Sequence, residues 1–154
     1  MSISGPANRL LGVMNPAYMV AAVLTAARSF PYGPNTETAM QYLCLIYEDE
    51  QAWQKMPTVE AEKIMGEFFA YTESIKRSGH YVGGNALQPT RTATTVRVRN
   101  GKLATTDGPF AETKEQLGGY YLVRAKDLNE AIQVASRIPG ARLGAVEVRP
   151  IMET

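Results

Sequence analysis

The chain has 154 residues, of which 45% are hydrophobic and 20% are charged. This composition is typical of one soluble globular domain. Sixteen basic side chains stand against fifteen acidic ones, without the basic excess of a protein that follows nucleic-acid phosphates, so we predict no nucleic-acid partner. The single cysteine, Cys44, excludes an internal disulfide and favours a cytoplasmic location.

Residues 1–39 differ in character from the rest of the chain. Their apolar run, AYMVAAVLTAA at 17–27, is shorter than the ~20 residues of a membrane-spanning helix, so we predict no membrane anchor. An Asn-Pro pair just before the run disfavours a signal peptide. A turn-rich stretch, FPYGPN, follows it. We therefore predict that residues 1–39 are an extension and linker outside the fold and that residues 40–154 form the domain.

A strand and a long helix are predicted next. Gln41–Tyr47 is a short run with hydrophobic side chains at both odd and even positions, as in a strand with two covered faces. From Thr58 the pattern has the period of a helix, which Thr58 is expected to cap and Gly79 to end. The predicted buried stripe of this helix consists of Ala61, Ile64, Met65, Phe68, Thr72 and Ile75.

A hairpin and a further strand are predicted in the middle of the chain. Residues 94–99 alternate, with valines facing one way and arginines the other. Asn100-Gly101 then supplies the two positive-φ residues of a tight turn, and residues 102–106 return. Residues 120–125 form the next strand. Gly118-Gly119, just before it, predicts a bulge or a close backbone approach.

A second helix and a final strand complete the predicted fold. Asp127 and Glu130 have the spacing of a capping box, Pro139-Gly140 is expected to end the helix, and residues 145–149 alternate as a strand. The element order indicates an α+β domain of the ferredoxin-like, split βαβ type, with an extra β-hairpin and both helices on one face of the sheet. The predicted apolar stripe of the second helix consists of Leu128, Ala131, Ile132, Ala135 and Ile138.

The segment between the hairpin and the next strand is the most detailed of the chain. Its sequence, TDGPFAETKEQLGGYY at 106–121, is similar to the signature of the DGPF branch of the YCII-related domain family. The resemblance runs from MQYLCLIYEDEQAW near residue 40 to VEVRPIME at the end. It implies a homodimer in which two sheets pack face to face as a dimeric α/β barrel. Genes of this branch often neighbour those for extracytoplasmic-function sigma factors, which implies a functional link to such a factor.

His80 and Asp107 are the candidate catalytic pair. Histidine is the default general base near neutral pH, and the chain has one. A histidine just after a helix can instead interact with the helix carbonyls. Asp107 can orient an imidazole or contact a substrate, or its side chain can form an Asx-turn. Related proteins have a proposed catalytic histidine within the first helix, where the resemblance places Phe68, so that centre does not carry over.

Tyr81, Glu112 and Lys114 are the candidate ligand contacts, although a short charged run is also typical of a solvated surface. Phe110 is expected to pack against the domain, because leaving water stabilises it. Motifs of serine hydrolases, P-loop proteins and dinucleotide-binding domains are absent, and the chain lacks a Cys/His cluster, so we predict no cofactor and no metal. Two functions remain open: a small-molecule-binding or regulatory dimer, and a small isomerase or lyase in which His80 and Asp107 move protons.

Overall fold

The computed structural model describes residues 39–152, so most of the predicted N-terminal extension, residues 1–38, and the last two residues lie outside the described part. The described residues mix helices with antiparallel strands, which confirms an α+β fold. In chain order, the helices and strands are β1 (Met40–Glu48), α1 (Glu50–Lys55), α2 (Thr58–Arg77), β2 (Tyr81–Ala86), β3 (Thr94–Arg99), β4 (Lys102–Asp107), β5 (Gln116–Ala125), α3 (Leu128–Ala135), α4 (Gly140–Leu143) and β6 (Ala145–Pro150).

Four of the strands form one antiparallel sheet in the order β2-β5-β1-β6. Strands β3 and β4 form a separate two-stranded sheet. Within residues 39–152, the main sheet is open and does not close into a barrel. Helices α2 and α3 cover one face of it. The core between them includes Tyr42, Cys44, Ile46, Ile64, Phe68, Tyr71, Ile75, Tyr121, Val123, Ala131 and Val134.

Helix α2 follows its predicted pattern. Every residue of the predicted stripe is buried, and Tyr71 joins them. Gly79 has φ +79°, the left-handed conformation that ends a helix, as predicted. The expected cap at Thr58 is wrong, because Thr58 is already the first helical residue and Pro57 before it makes no side-chain cap bond.

Strand β2 was not predicted from the sequence, because Gly83-Gly84 removes the alternation that identifies a strand. The reason for the glycine pair in β5 is nonetheless the one expected. A Cβ atom on Gly119 would lie 2.9 Å from the Asn85 carbonyl oxygen of β2, so the two backbones approach closely. The register of β1 against β5 shifts beside Gly118, as expected of a bulge.

Helix α3 begins as predicted and buries part of its predicted stripe, including Ala131 and Ala135. Asp127 Oδ1 accepts from the Glu130 N–H at 2.8 Å, and Glu130 Oε2 accepts from the Lys126 N–H at 2.7 Å. Leu128 and Ile132 were predicted to be buried and are about half exposed, while Val134 is buried in the core. The helix ends at Ala135, before the Pro-Gly pair, which instead begins α4.

The other face of the main sheet has no described helix over it. Leu43 pairs with Leu122, and Leu45 pairs with Tyr120, across β1 and β5. These four side chains are only partly buried, in contrast to the buried side chains that alternate with them. The prediction of apolar side chains on both faces of β1 is therefore confirmed, and we call this second surface the open face.

Candidate functional site

The motif loop, residues 108–115, leaves the hairpin at a fixed point. Gly108 has φ +105°, which side chains rarely adopt. Its N–H donates to the Ala93 carbonyl oxygen at 2.8 Å, and its carbonyl oxygen accepts from Thr95 Oγ1 at 2.9 Å. The backbone path at the base of the hairpin therefore requires the glycine of the motif.

The residues on either side of this turn differ from expectation. Asp107 pairs with Thr94 at the end of β4, and its carboxylate forms no hydrogen bond or ion pair within residues 39–152, so the expected Asx-turn is absent there. Phe110 is 84% exposed, and its expected packing is wrong. The motif loop passes beside the exposed hairpin, where the Arg97 guanidinium carbon lies 5.9 Å from the ring centre and supplies a cation–π contact in place of an apolar pocket.

A groove lies between the motif loop and the open face. Its volume is about 490 Å³, and it is a shallow depression widely open to solvent. The sheet contributes Tyr47 and Ala145, which pair across β1 and β6. The motif loop contributes Thr113, Lys114 and Glu115. The groove thus combines one ammonium, one carboxylate and two hydroxyl groups with the flat surface of a tyrosine ring.

Hydrogen bonds at the end of β1 hold the walls of this groove in place. The Glu50 carboxylate accepts from the Thr90 N–H and from Thr90 Oγ1, both at 2.8 Å. The Glu50 N–H donates to Gln116 Oε1 at 3.1 Å. Glu50 therefore connects the end of β1 to the segment before the hairpin and to the start of β5. These bonds fix the two ends of the stretch that contains the hairpin and the motif loop.

Glu48 is a partly buried carboxyl group at the same end of the sheet. Trp53 Nε1 donates to its Oε2 at 2.6 Å, while its Oε1 is buried and lacks a partner within the described residues. Burial raises the pKa of Glu48, and the Trp53 bond partly opposes that change. A Cβ atom on Gly140 would lie 2.6 Å from Oε1, so the carboxyl group occupies space that only a glycine leaves free. Its side chain lies on the helix side of the sheet, away from the groove.

His80 lies at the opposite end of β2 from the motif loop. Its Nδ1 is 2.7 Å from Ser78 Oγ, and its Nε2 is 3.6 Å from Glu130 Oε1. Both ring nitrogens therefore face side chains and not the helix carbonyls that sequence reasoning offered as an alternative. Asp107 is separated from His80 by the length of β2 and is not among its contacts, so the structure does not bring the predicted catalytic pair together.

The predicted ligand contacts also separate. Lys114 lines the groove, and Glu112 is exposed on the same loop. Tyr81 lies near His80 instead, with its ring edge-on to Tyr121 at 6.5 Å between centroids and the Lys76 ammonium 5.6 Å from its own centroid. Burial, followed by the proximity of Tyr120, raises the pKa of Tyr81.

Sequence reasoning missed Tyr47, Ala145 and Glu48 as candidate site residues. The alternation of β1 was the signal that could have identified Tyr47, because it places this side chain on the second face of the strand. Ala145 becomes its neighbour only through the pairing of β1 with β6. Glu48 directly follows the predicted strand Gln41–Tyr47, and no sequence pattern marks it as buried. Only the packing of Trp53 and Gly140 around it reveals that this carboxyl group is buried.

The fold and the groove define an α+β domain with helices on one face of an antiparallel sheet and a ligand-sized depression at the edge of the other face. The model of the YCII-related domain family matches residues 40–154, and the chain belongs to that family. A protein of Rhizobium meliloti (strain 1021), itself described as uncharacterised, is 37% identical over 114 residues, which are 73% of this chain and 92% of the relative. Among residues 39–152, no helix is long and apolar enough to cross a membrane.

Proposed function

We propose that this protein is a dimeric, small-molecule-binding or regulatory domain whose ligand binds in the groove beside the motif loop. The observation that carries the proposal is the groove itself, because its volume of about 490 Å³ lies in the range of small-molecule sites. Lys114 supplies a cation, and Tyr47 supplies a ring surface with a hydroxyl group. These groups suit a compact molecule that has an anionic group and an aromatic or flat polar part.

The open face supports the dimer. Its centre is apolar, with Leu43 opposite Leu122 and Leu45 opposite Tyr120, and an apolar sheet face of this kind is stabilised by a covering layer. The strand order β2-β5-β1-β6 with its two helical crossovers is the order expected of a ferredoxin-like split βαβ domain. We therefore assign residues 40–154 to a ferredoxin-like unit that forms a dimeric α/β barrel with a second copy. A cytoplasmic location and a link to an extracytoplasmic-function sigma factor remain predictions.

The test of ligand binding compares two lysines. Small carboxylates and phosphate esters, with and without an aromatic ring, are screened by ligand-observed NMR and thermal shift against the wild type, Lys114→Ala and Lys63→Ala. Lys63 is an exposed residue of α2 outside the groove. We expect a compact anion to bind the wild type and Lys63→Ala, and to bind Lys114→Ala about tenfold or more weakly, since a charged hydrogen bond contributes roughly 1.5–3 kcal/mol. Equal binding to both variants would place the site elsewhere.

The alternative function is a small isomerase or lyase that uses His80 and Asp107. One observation favours a chemical role for His80: its ring lies between a hydroxyl group and a carboxylate, Ser78 and Glu130, as is useful in a general base. The contacts of His80 make Glu130 its nearest carboxylate partner in place of Asp107. A bound substrate analogue that shifts the NMR signals of the His80 ring, while Lys114→Ala leaves its affinity unchanged, would favour this alternative over the groove.

A further inference from the structure

The hairpin β3–β4, which we call the arm, presents an apolar face to solvent. Val96 pairs with Thr105, and Val98 pairs with Leu103, so these side chains share one face. Val96, Val98 and Leu103 are 59%, 64% and 69% exposed. An isolated two-stranded hairpin is marginally stable in water, and exposed apolar clusters mark interaction surfaces. The arm would therefore be stabilised by a surface that covers this face.

The opposite face of the arm is basic. Arg99 pairs with Lys102, and Arg97 lies two residues before Arg99 on the same face. The acidic residue of the arm, Asp107, lies at its base on the apolar face, and none of the ion pairs found within residues 39–152 involves these three cations. A surface that matches the arm on both faces must offer apolar contacts on one side and carboxylates on the other.

The groove beside the motif loop has an apolar wall and a wall that carries carboxylates. One wall is the sheet, with Tyr47 and Ala145, and the other is the motif loop, on which two carboxylates, Glu112 and Glu115, stand against one cation, Lys114. We propose that the arm of a second copy of this chain enters the mouth of the groove, with its apolar face toward the sheet and its basic face toward the loop carboxylates. The partner thereby supplies the wall that a single chain leaves open. This inference rests on the dimer of the proposed function.

The sheet topology explains why the second copy supplies the arm. The arm follows β2 at one edge of the sheet, whereas the groove lies between β1 and β6 at the other edge. Both lie at the same end of the strands, because β2 ends beside Gly119 and β1 ends beside Gln116. A twofold axis parallel to the strands places β2 of one chain opposite β6 of its partner, so each arm lies beside the partner's groove in two equivalent contacts.

The test combines sedimentation with lysine labelling on the full chain. The arm variant is Val98→Lys with Leu103→Lys. The control is Val59→Lys, at an exposed apolar position of α2. We expect the arm variant to raise the dimer dissociation constant at least about tenfold, because it loses two apolar contacts in each of two equivalent arms, and the control to leave it unchanged. Circular dichroism verifies that each variant is folded, and Arg99→Glu with Lys102→Glu is a second arm variant that changes only the basic face and keeps the contact of Arg97 with Phe110.

Acetylation measured by mass spectrometry reports on closure of the groove. In the wild type, Lys114 should become protected as the protein concentration passes through the dissociation constant, while Lys63 on α2 should not. In the arm variant, Lys114 should stay as reactive as in the monomer. A wild-type dimer whose affinity and Lys114 protection are unchanged by both arm variants would overturn the inference and leave the dimer intact. A wild type that stays monomeric at high micromolar concentration would overturn the dimer and the inference together.

Discussion

At the residue scale, the pKa values of two glutamates are shifted in opposite directions. Glu48 is partly buried with one oxygen unpartnered, and burial raises its pKa. Glu130 accepts the backbone N–H of Lys126 and faces His80, and these contacts, the backbone bond first, lower its pKa. The pKa of the same side-chain type is therefore raised in one place and lowered in the other, and the two should give opposite pH dependences of stability.

The first prediction concerns Glu48→Gln. Because the folded-state pKa of Glu48 lies above the unfolded value, its stability contribution is fully present below that unfolded value and is lost as the pH rises through the folded one. Glutamine does not ionise, so the melting temperature of the variant relative to the wild type should increase from pH 4 to pH 7. Trp53→Phe removes the indole donor and should destabilise the protein more at pH 7 than at pH 4. Thermal melts across this range measure both trends, and a pH-independent difference would contradict the assignment.

The second prediction has the opposite sign. The folded-state pKa of Glu130 is lowered, so its contribution is present above the unfolded value and is lost as the pH falls through the folded one. Glu130→Gln should destabilise the protein at neutral pH, and the difference from the wild type should shrink in acid. His80→Gln removes one of the contacts that lower this pKa and should reduce the pH dependence in part. The effect is expected to be small, because the Glu130 side chain is 32% exposed and its interactions are screened by solvent. Urea titrations at pH 7 and pH 3 measure it, and convergence of the variant and the wild type at pH 3 is the expected result.

At the element scale, the glycine pair at the start of β5 gives a matched comparison. A Cβ atom on Gly119 would lie 2.9 Å from the Asn85 carbonyl oxygen, whereas one on Gly118 would meet no atom closer than Glu48 Oε2 at 4.0 Å. We predict that Gly119→Ala destabilises the domain by about 1–3 kcal/mol, because β2 must move away from β5. Gly118→Ala should cost less than about 1 kcal/mol. Denaturant unfolding of both variants provides the measurement, and equal costs would mean that the two strands are not so closely packed.

The elements that the sequence predicts well are those whose pattern depends on one neighbour. The stripe of α2 packs on a single surface, and every residue predicted for it is buried, with Tyr71 as the one addition. The positive φ angles of Asn100 and Gly101 follow from the turn alone. Helix α3 is short, and Val134 replaces Leu128 and Ile132 in the core because of how the helix is oriented against the sheet, which its own sequence does not specify. Strand β2 was missed because Gly83-Gly84 hides its alternation.

The candidate site likewise contains residues that the sequence identifies and residues that only the fold brings together. Lys114 was predicted because it is a charged residue in a specific motif, and it lines the groove. Tyr47 and Ala145 become neighbours only through pairing of β1 with β6, which brings together residues that are distant in the chain. His80 and Asp107 are separated by the length of β2, the strand that the sequence did not predict. Local chemistry was therefore readable from the sequence, whereas the spatial grouping of distant residues required the sheet order.

At the scale of the whole molecule, the domain is asymmetric in its packing. Helices α2 and α3 bury one face of the sheet, and the open face places leucine and tyrosine side chains where one chain covers them only partly. The polar residues on this face, Gln41, Arg124, Glu147 and Arg149, share register with its apolar centre and lie toward its border. An apolar centre with a polar border is the usual arrangement of a protein interface.

The final prediction tests this interface directly with Leu45→Lys. Leu45 lies on β1 between Tyr120 and Glu147, near the middle of the open face. Loss of leucine burial costs about 1.5–3 kcal/mol per copy, and both copies lose it, so the dissociation constant should rise by about two orders of magnitude or more. Phe69→Lys is the control, since Phe69 is an exposed aromatic residue on α2 and its replacement should leave the dimer intact. Sedimentation at micromolar concentration, with circular dichroism to verify folding, decides the matter: a dimeric Leu45→Lys protein would exclude the open face as the interface.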